Sequence, residues 1–195
     1  MSTRDRILNE ALTLFAESGY DGTSVEEIAE KVGIKAPSLY NHFKGKEDIL
    51  NALIDLTETR YEEFFGSDRH FGKLPESKEE FIQTAIQKVS FTMNDPMIRK
   101  MRKFLVREQF RNERFAEITT KHQLNGIQGM YTKIIEGMMN KGLFKEEDPD
   151  LLATELTATV VLLIAKSDRQ PQFDREIMES IESYVRHFCD IYMTT

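Results

Sequence analysis

Residues 31–46 carry four lysines (Lys31, Lys35, Lys44 and Lys46) and no Asp or Glu, in a chain whose formal net charge is −7. The surrounding stretch, TSVEEIAEKVGIKAPSLYNHFKGK over residues 23–46, confines its acids to its first part. It reads as a helix, a tight turn at Gly33-Ile34, and a short cationic helix bearing Tyr40, Asn41 and His42. Those side chains offer hydrogen bonds and positive charge on a narrow element, the chemistry needed to enter a DNA major groove. Catalytic chemistry finds no comparable pattern. None of His42, His70, His122 and His187 stands four residues from a second metal-type ligand, and no glycine-rich phosphate loop is present. The acids Glu146, Glu147, Asp148 and Asp150 lack calcium-loop spacing and sit where a helix begins, suited to its positive end. No catalytic residue, metal site or cofactor is therefore expected, and the chain is not expected to be an enzyme.

The elements that position these residues are helices. Apolar residues recur at helical spacing almost throughout, and alternation of the strand kind never lasts. Ile7, Ala11, Leu14 and Phe15 give a first helix its inner face, closed near Gly19. Thr23 with Glu26 and Ser24 with Glu27 both have capping-box spacing, so the second helix starts here with its cap residue open. The third opens near Pro37 and buries Leu39 and Phe43. A longer helix from Lys46 carries Ile49, Leu53, Leu56 and Phe64, and residues 66–75 read as a loop. Ser77 and Glu80 cap the next helix, Asp95-Pro96 opens another, and one long helix spans residues 113–141. Asp148-Pro149 starts a Leu- and Val-rich helix reaching about residue 166, and a last one follows Gln170-Pro171. The expected fold is all-α, about nine helices, with an N-terminal helix-turn-helix domain (residues 1–46) and a larger helical domain (residues 47–195).

Composition limits the remaining possibilities. Forty per cent apolar residues, with thirteen Phe and no Trp, suffice for a core. No run approaches the roughly 18 apolar residues of a membrane span, the N-terminus has no signal-peptide core, and one cysteine, Cys189, suits a reducing cytoplasm. An acidic chain does not coat nucleic acid indiscriminately, so DNA binding must come from a local surface.

The segment ILNEALTLFAESGYDGTSVEEIAEKVGIKAPSLYNHFKGKEDIL closely resembles the DNA-binding region of the tetracycline-repressor-like (TetR) transcription regulators. Ala11, Phe15, Gly19-Tyr20, Thr23, Ile28-Ala29, Gly33, Leu39-Tyr40, His42-Phe43 and Lys46-Glu47 carry the likeness over about 45 residues. The resemblance implies phosphate contacts from Tyr40, His42 and Lys46, with Thr23 or Ser24 adding one from the second helix. Such contacts set register without reading sequence. Ala36 and Pro37 suit a thymine methyl, and Lys35 or Asn41 a base edge. Lys35 departs from the family, where Ser or Thr often caps this helix; a lysine accepts no hydrogen bond there, and a phosphate contact is the expected compensation. The resemblance further implies a cytoplasmic homodimer on palindromic double-stranded DNA, most simply a repressor released by a small-molecule effector. The alternative is a helical small-molecule-binding or scaffold protein whose helix-turn-helix no longer binds DNA.

Outside that segment the residues speak less clearly. His122 with Gly126 and Gly129 marks one face of the long helix, either one wall of an effector cavity or a close helix contact. Arg107, Gln109 and Tyr131 are the other polar effector candidates. Leu156, Val160 and Ile164, with Ile181, Val185 and Phe188, form apolar stripes on the last two helices, where the family places its dimer interface as a four-helix bundle.

Overall fold

The computed structural model describes residues 2–66 and 73–194. Ten α-helices occur among them: α1 (Thr3–Ser18), α2 (Val25–Val32), α3 (Ala36–Leu39), α4 (Lys46–Phe65), α5 (Lys78–Asn94), α6 (Pro96–Glu108), α7 (Glu113–Thr120), α8 (Gly126–Met139), α9 (Pro149–Arg169) and α10 (Asp174–Tyr192). A π-helical turn, Lys121–Asn125, joins α7 to α8, so these two make one helical run and the runs number nine. Among the described residues the only β pairing is an isolated antiparallel bridge between Phe144 and Met193. The all-helical expectation holds.

Local signals explain most helix ends. Ser2 and Ser24 close capping boxes with Asp5 and Glu27 at the starts of α1 and α2. Asp95 accepts from the amides of Met97 and Ile98 at 3.0 Å each, and Asp148 caps α9 likewise, each followed by a proline whose missing N–H costs nothing there. Gly33 ends α2 in the left-handed region (φ 76°, ψ 34°), and its amide returns to the carbonyls of Ala29 and Glu30. Most L-residues avoid that conformation, so this glycine sets the turn.

One expectation needs amendment. The helix expected over residues 113–141 is interrupted by the π turn, where the Gly126 amide bonds to the Lys121 carbonyl five residues back. A Cβ on Gly126 would stand 2.8 Å from that oxygen, so the glycine makes room for the widened turn. Leu56 and Phe64, which share the apolar spacing of α4, are exposed. The loop expected at residues 66–75 lies mostly outside the described residues, as does His70.

By packing, the chain forms two compact units, Met1–Glu63 with Asp95–Thr119, and Phe64–Asn94 with Thr120–Thr195. In the first, Ile7, Ala11 and Phe15 of α1 meet Ile28 and Val32 of α2, Leu39 and Phe43, Ile49 and Leu53 of α4, and Phe104 of α6. Phe15, Tyr20, Phe104 and Phe115 make tilted and edge-to-face ring contacts there, with centroids 5.2–6.0 Å apart. In the second, α5, α8, α9 and α10 bury Phe81, Met93, Tyr131, Ile135, Leu156, Ile181 and Phe188 around one core.

Candidate nucleic-acid interface

The cationic segment is held from below by two fully buried anchors. Leu39 and Phe43 sink into the first unit's core, leaving the intervening and flanking residues outside. Lys35, Pro37, Ser38, Asn41, His42 and Lys44 are all exposed, and Tyr40 is 52 % exposed. Ala36 is half-buried. The helix itself is short, but the Asn41, His42 and Phe43 amides bond back to Ser38 and Leu39 carbonyls, so the turn continues helically to Phe43. Lys35 occupies the N-cap position and makes no side-chain cap, as its chemistry dictates. The result is an exposed polar patch with positive charge and no carboxylate within residues 31–46.

Two of the expected contacts turn inward instead. Thr23 is buried, and its hydroxyl donates to the Gly19 carbonyl at 2.9 Å. Lys46 directs its ammonium into the turn before α2, donating to the carbonyls of Tyr20 at 2.6 Å and Thr23 at 2.9 Å, with Nζ 4.4 Å from the Tyr20 ring centroid. Two of its three N–H groups are thereby used, so Lys46 positions the turn that carries α2 rather than standing free on the surface. The Ser24 hydroxyl is also engaged, accepting from the Glu27 amide and donating to its carboxylate at 2.9 Å. The Ser24 amide and hydroxyl hold the Glu27 carboxyl below the usual carboxylate range. A phosphate would have to displace that carboxylate.

The structure adds three residues to the surface. Ser38 and Lys44 lie on its exposed side, and Arg4 of α1 sets its guanidinium 4.9 Å from the Phe43 ring centroid. Helical spacing from Leu39 already turns Ser38 outward, and Lys44 belongs to the cationic run. Arg4 comes near only through the packing of α1, which no local pattern records.

The effector candidates are divided between the two units. Arg107 donates to the Glu17 carbonyl at 2.6 Å, and Gln109 caps the end of α6; both belong to the first unit. His122 and Gly126 lie in and beside the π turn of the second unit, Gly126 on an exposed position. Gly129 has open space where a Cβ would stand. Tyr131 alone is deeply buried, its ring edge-on to Phe81 at 6.1 Å and its hydroxyl pushed above the usual phenol range by burial. The dimer candidates are placed differently from expectation as well. Leu156, Ile164, Ile181, Val185 and Phe188 are buried in the subunit's own core, with Val160 packed partly against it. The apolar side chains that α9 and α10 do expose include Leu151, Leu162 and Ile191.

Comparison with known proteins gives consistent results. Residues 7–53 match the family model for bacterial regulatory proteins of the tetR family. The negative transcriptional regulator IcaR of the Staphylococcus epidermidis biofilm operon icaADBC is 30% identical over an alignment of 125 positions, taking in 49% of this chain and 68% of the relative. IcaR of Staphylococcus aureus strain Newman is 52% identical over 46 residues, covering 24% of this chain and 25% of that protein. Among solved structures, a complex of SmeT with triclosan superposes with a TM-score of 0.74 at 19% identity, over 100% of this chain and 93% of the other. SmeT is described as the repressor of the Stenotrophomonas maltophilia multidrug efflux pump SmeDEF.

Proposed function

The chain belongs to the TetR family of bacterial regulatory proteins, and on that premise we propose that it is a repressor that binds a palindromic operator as a homodimer and leaves it when a small molecule binds. The observation that carries this is the exposed polar surface of residues 35–44 on a rigid hydrophobic base, within an otherwise acidic protein. Residues 1–46 form the DNA-binding head. Lys35, Lys44, Tyr40 and His42 meet phosphates, and Pro37, Ser38 and Asn41 meet the bases, with half-buried Ala36 close against the groove. Thr23, Ser24 and Lys46 act one step back, holding the turn and the start of α2.

A dimer supplies the two heads a palindrome needs. On α9 the exposed or partly exposed Leu151, Ala158, Leu162 and Ala165 share the face opposite the core, and on α10 Ser180, Ser183, His187 and Ile191 do the same. Their spacing of three, four and seven residues gives each helix one continuous strip. Small residues within the strips let two copies approach closely, and we assign the homodimer contact to them.

Selection from a random duplex pool, followed by binding at several salt concentrations, tests the proposal. The expected result is a recovered inverted repeat whose affinity falls steeply with salt. Recovery of no common sequence, with weak binding alike to all duplexes, would instead favour a helical ligand-binding protein that has lost operator recognition.

A further inference from the structure

The second unit contains a hollow between α5, α8 and α9, lined also by Phe65 of α4. Its cavity volume is about 40 Å³, and the space around it is continuous with solvent. The space is therefore narrow. Its walls are aliphatic, with Val89, Ile127, Val160 and Ile164 typical of them. Two threonines also reach it, but the Thr92 hydroxyl donates to the Lys88 carbonyl and that of Thr157 to the Ala153 carbonyl. Two further lining residues carry polar groups that the backbone does not take up, Lys88 and Tyr131, the hydroxyl of the latter without a hydrogen-bond partner among the described residues.

Lys88 is the only charged residue in the described lining, and no carboxylate pairs with it among the described residues. Its Nζ rests 4.6 Å from the Phe65 ring centroid. Burial, with no charged neighbour contributing, holds its pKa below the usual ammonium range. An ammonium half out of water without a counter-charge is costly, and an anion arriving in the hollow removes that cost. A cation there meets like charge, and a neutral guest leaves the lysine unpaired. The aliphatic walls favour a chain or slim ring by roughly 0.8 kcal/mol for each methylene buried.

Resting on the reading that a small molecule releases the protein from its operator, we propose that this effector enters the hollow of the second unit and is a slim apolar molecule with a single acidic group, a straight-chain carboxylate in the simplest case. Its chain occupies the hollow, its anion pairs with Lys88, and Tyr131 offers a second hydrogen bond.

The test is direct calorimetric titration of the full chain with decanoate, decan-1-ol and decyltrimethylammonium, each below its aggregation limit. Decanoate is expected to bind about tenfold or more tighter than decanol, and the cation not measurably. Lys88→Met should bring decanoate down to the level of decanol while decanol still binds, which also shows that the variant is folded. Lys88→Arg should restore the preference. Equal affinity for acid and alcohol in the wild type, no decanoate binding, or an undiminished preference in Lys88→Met would each overturn the proposal. Because binding is read without DNA, the parent reading fails separately. Lysine-dependent decanoate binding that leaves operator occupancy unchanged keeps the ligand class and removes its role as effector.

Discussion

At the scale of single residues, two lysines eleven positions apart have opposite assignments. Lys35 is exposed at the start of the recognition turn, whereas Lys46 is tied to two carbonyls and a tyrosine ring. Lys35→Ala should therefore leave the melting temperature unchanged and reduce the slope of log affinity against log salt by about one per subunit. Lys46→Ala removes two charge-assisted hydrogen bonds from partly buried carbonyls and should cost roughly 1–3 kcal/mol of stability. Its loss of DNA binding should follow from a loosened turn, with the salt slope of the remaining binding preserved. Thermal melts together with anisotropy titrations at four salt concentrations separate the two. A stable Lys46→Ala protein with a flattened slope would return Lys46 to the phosphate-contacting set. The family resemblance includes Lys46 and marks Lys35 as a departure, without saying where either side chain points. A side chain that reaches back across the turn has the same spacing as one that points away.

Among the elements, the run from α7 to α8 makes the sharpest demand on backbone chemistry. Gly126 admits the Lys121 carbonyl at a distance no Cβ tolerates, while Gly129, three residues on, has free space around the same position. Gly129→Ala should stabilise the protein by up to about 1 kcal/mol, the ordinary helix preference for alanine over glycine. Gly126→Ala should do the reverse, because the gain in propensity is outweighed by forcing the carbonyl out of the π turn. Chemical denaturation of both variants checks the pair, and a shift of the same sign in each would remove the role given to the turn. The contrast shows what is legible locally. Asp95-Pro96, Asp148-Pro149, Ser24 with Glu27, and Gly33 announce their helix ends because caps and turns are made by residues adjacent in sequence. Gly126 and Gly129 look alike in sequence because a carbonyl five residues back becomes a neighbour only once the helix widens. The close approach at Gly126 is made by the helix's own backbone and not by a neighbouring helix.

For the whole molecule, the question is which apolar strips close a subunit and which remain for a partner. Periodicity gives α9 and α10 an apolar face each without saying what covers it. Leu156, Ile164, Ile181, Val185 and Phe188 carry that periodic signal, and their own subunit buries them. The family resemblance points to these helices for a dimer contact, but the faces first assigned to it are turned into the subunit's own core. Leu162 is 67 % exposed in the single chain and Leu151 60 %. The two positions provide a discriminating experiment, since an aspartate has different consequences on each side of α9. Leu162→Asp should leave the helical content and the cooperativity of unfolding intact while shifting the sedimentation profile from dimer to monomer. Operator affinity should fall with it, because one head alone meets only half of a palindrome. Ile181→Asp should lose the folded subunit itself, the burial of an unpaired carboxylate being far costlier than its exposure at a dissociated surface. If Leu162→Asp still sediments as a dimer and binds operator normally, the contact lies elsewhere on the surface. If Ile181→Asp folds well and only dissociates, the core face of α10 has been assigned to the wrong partner.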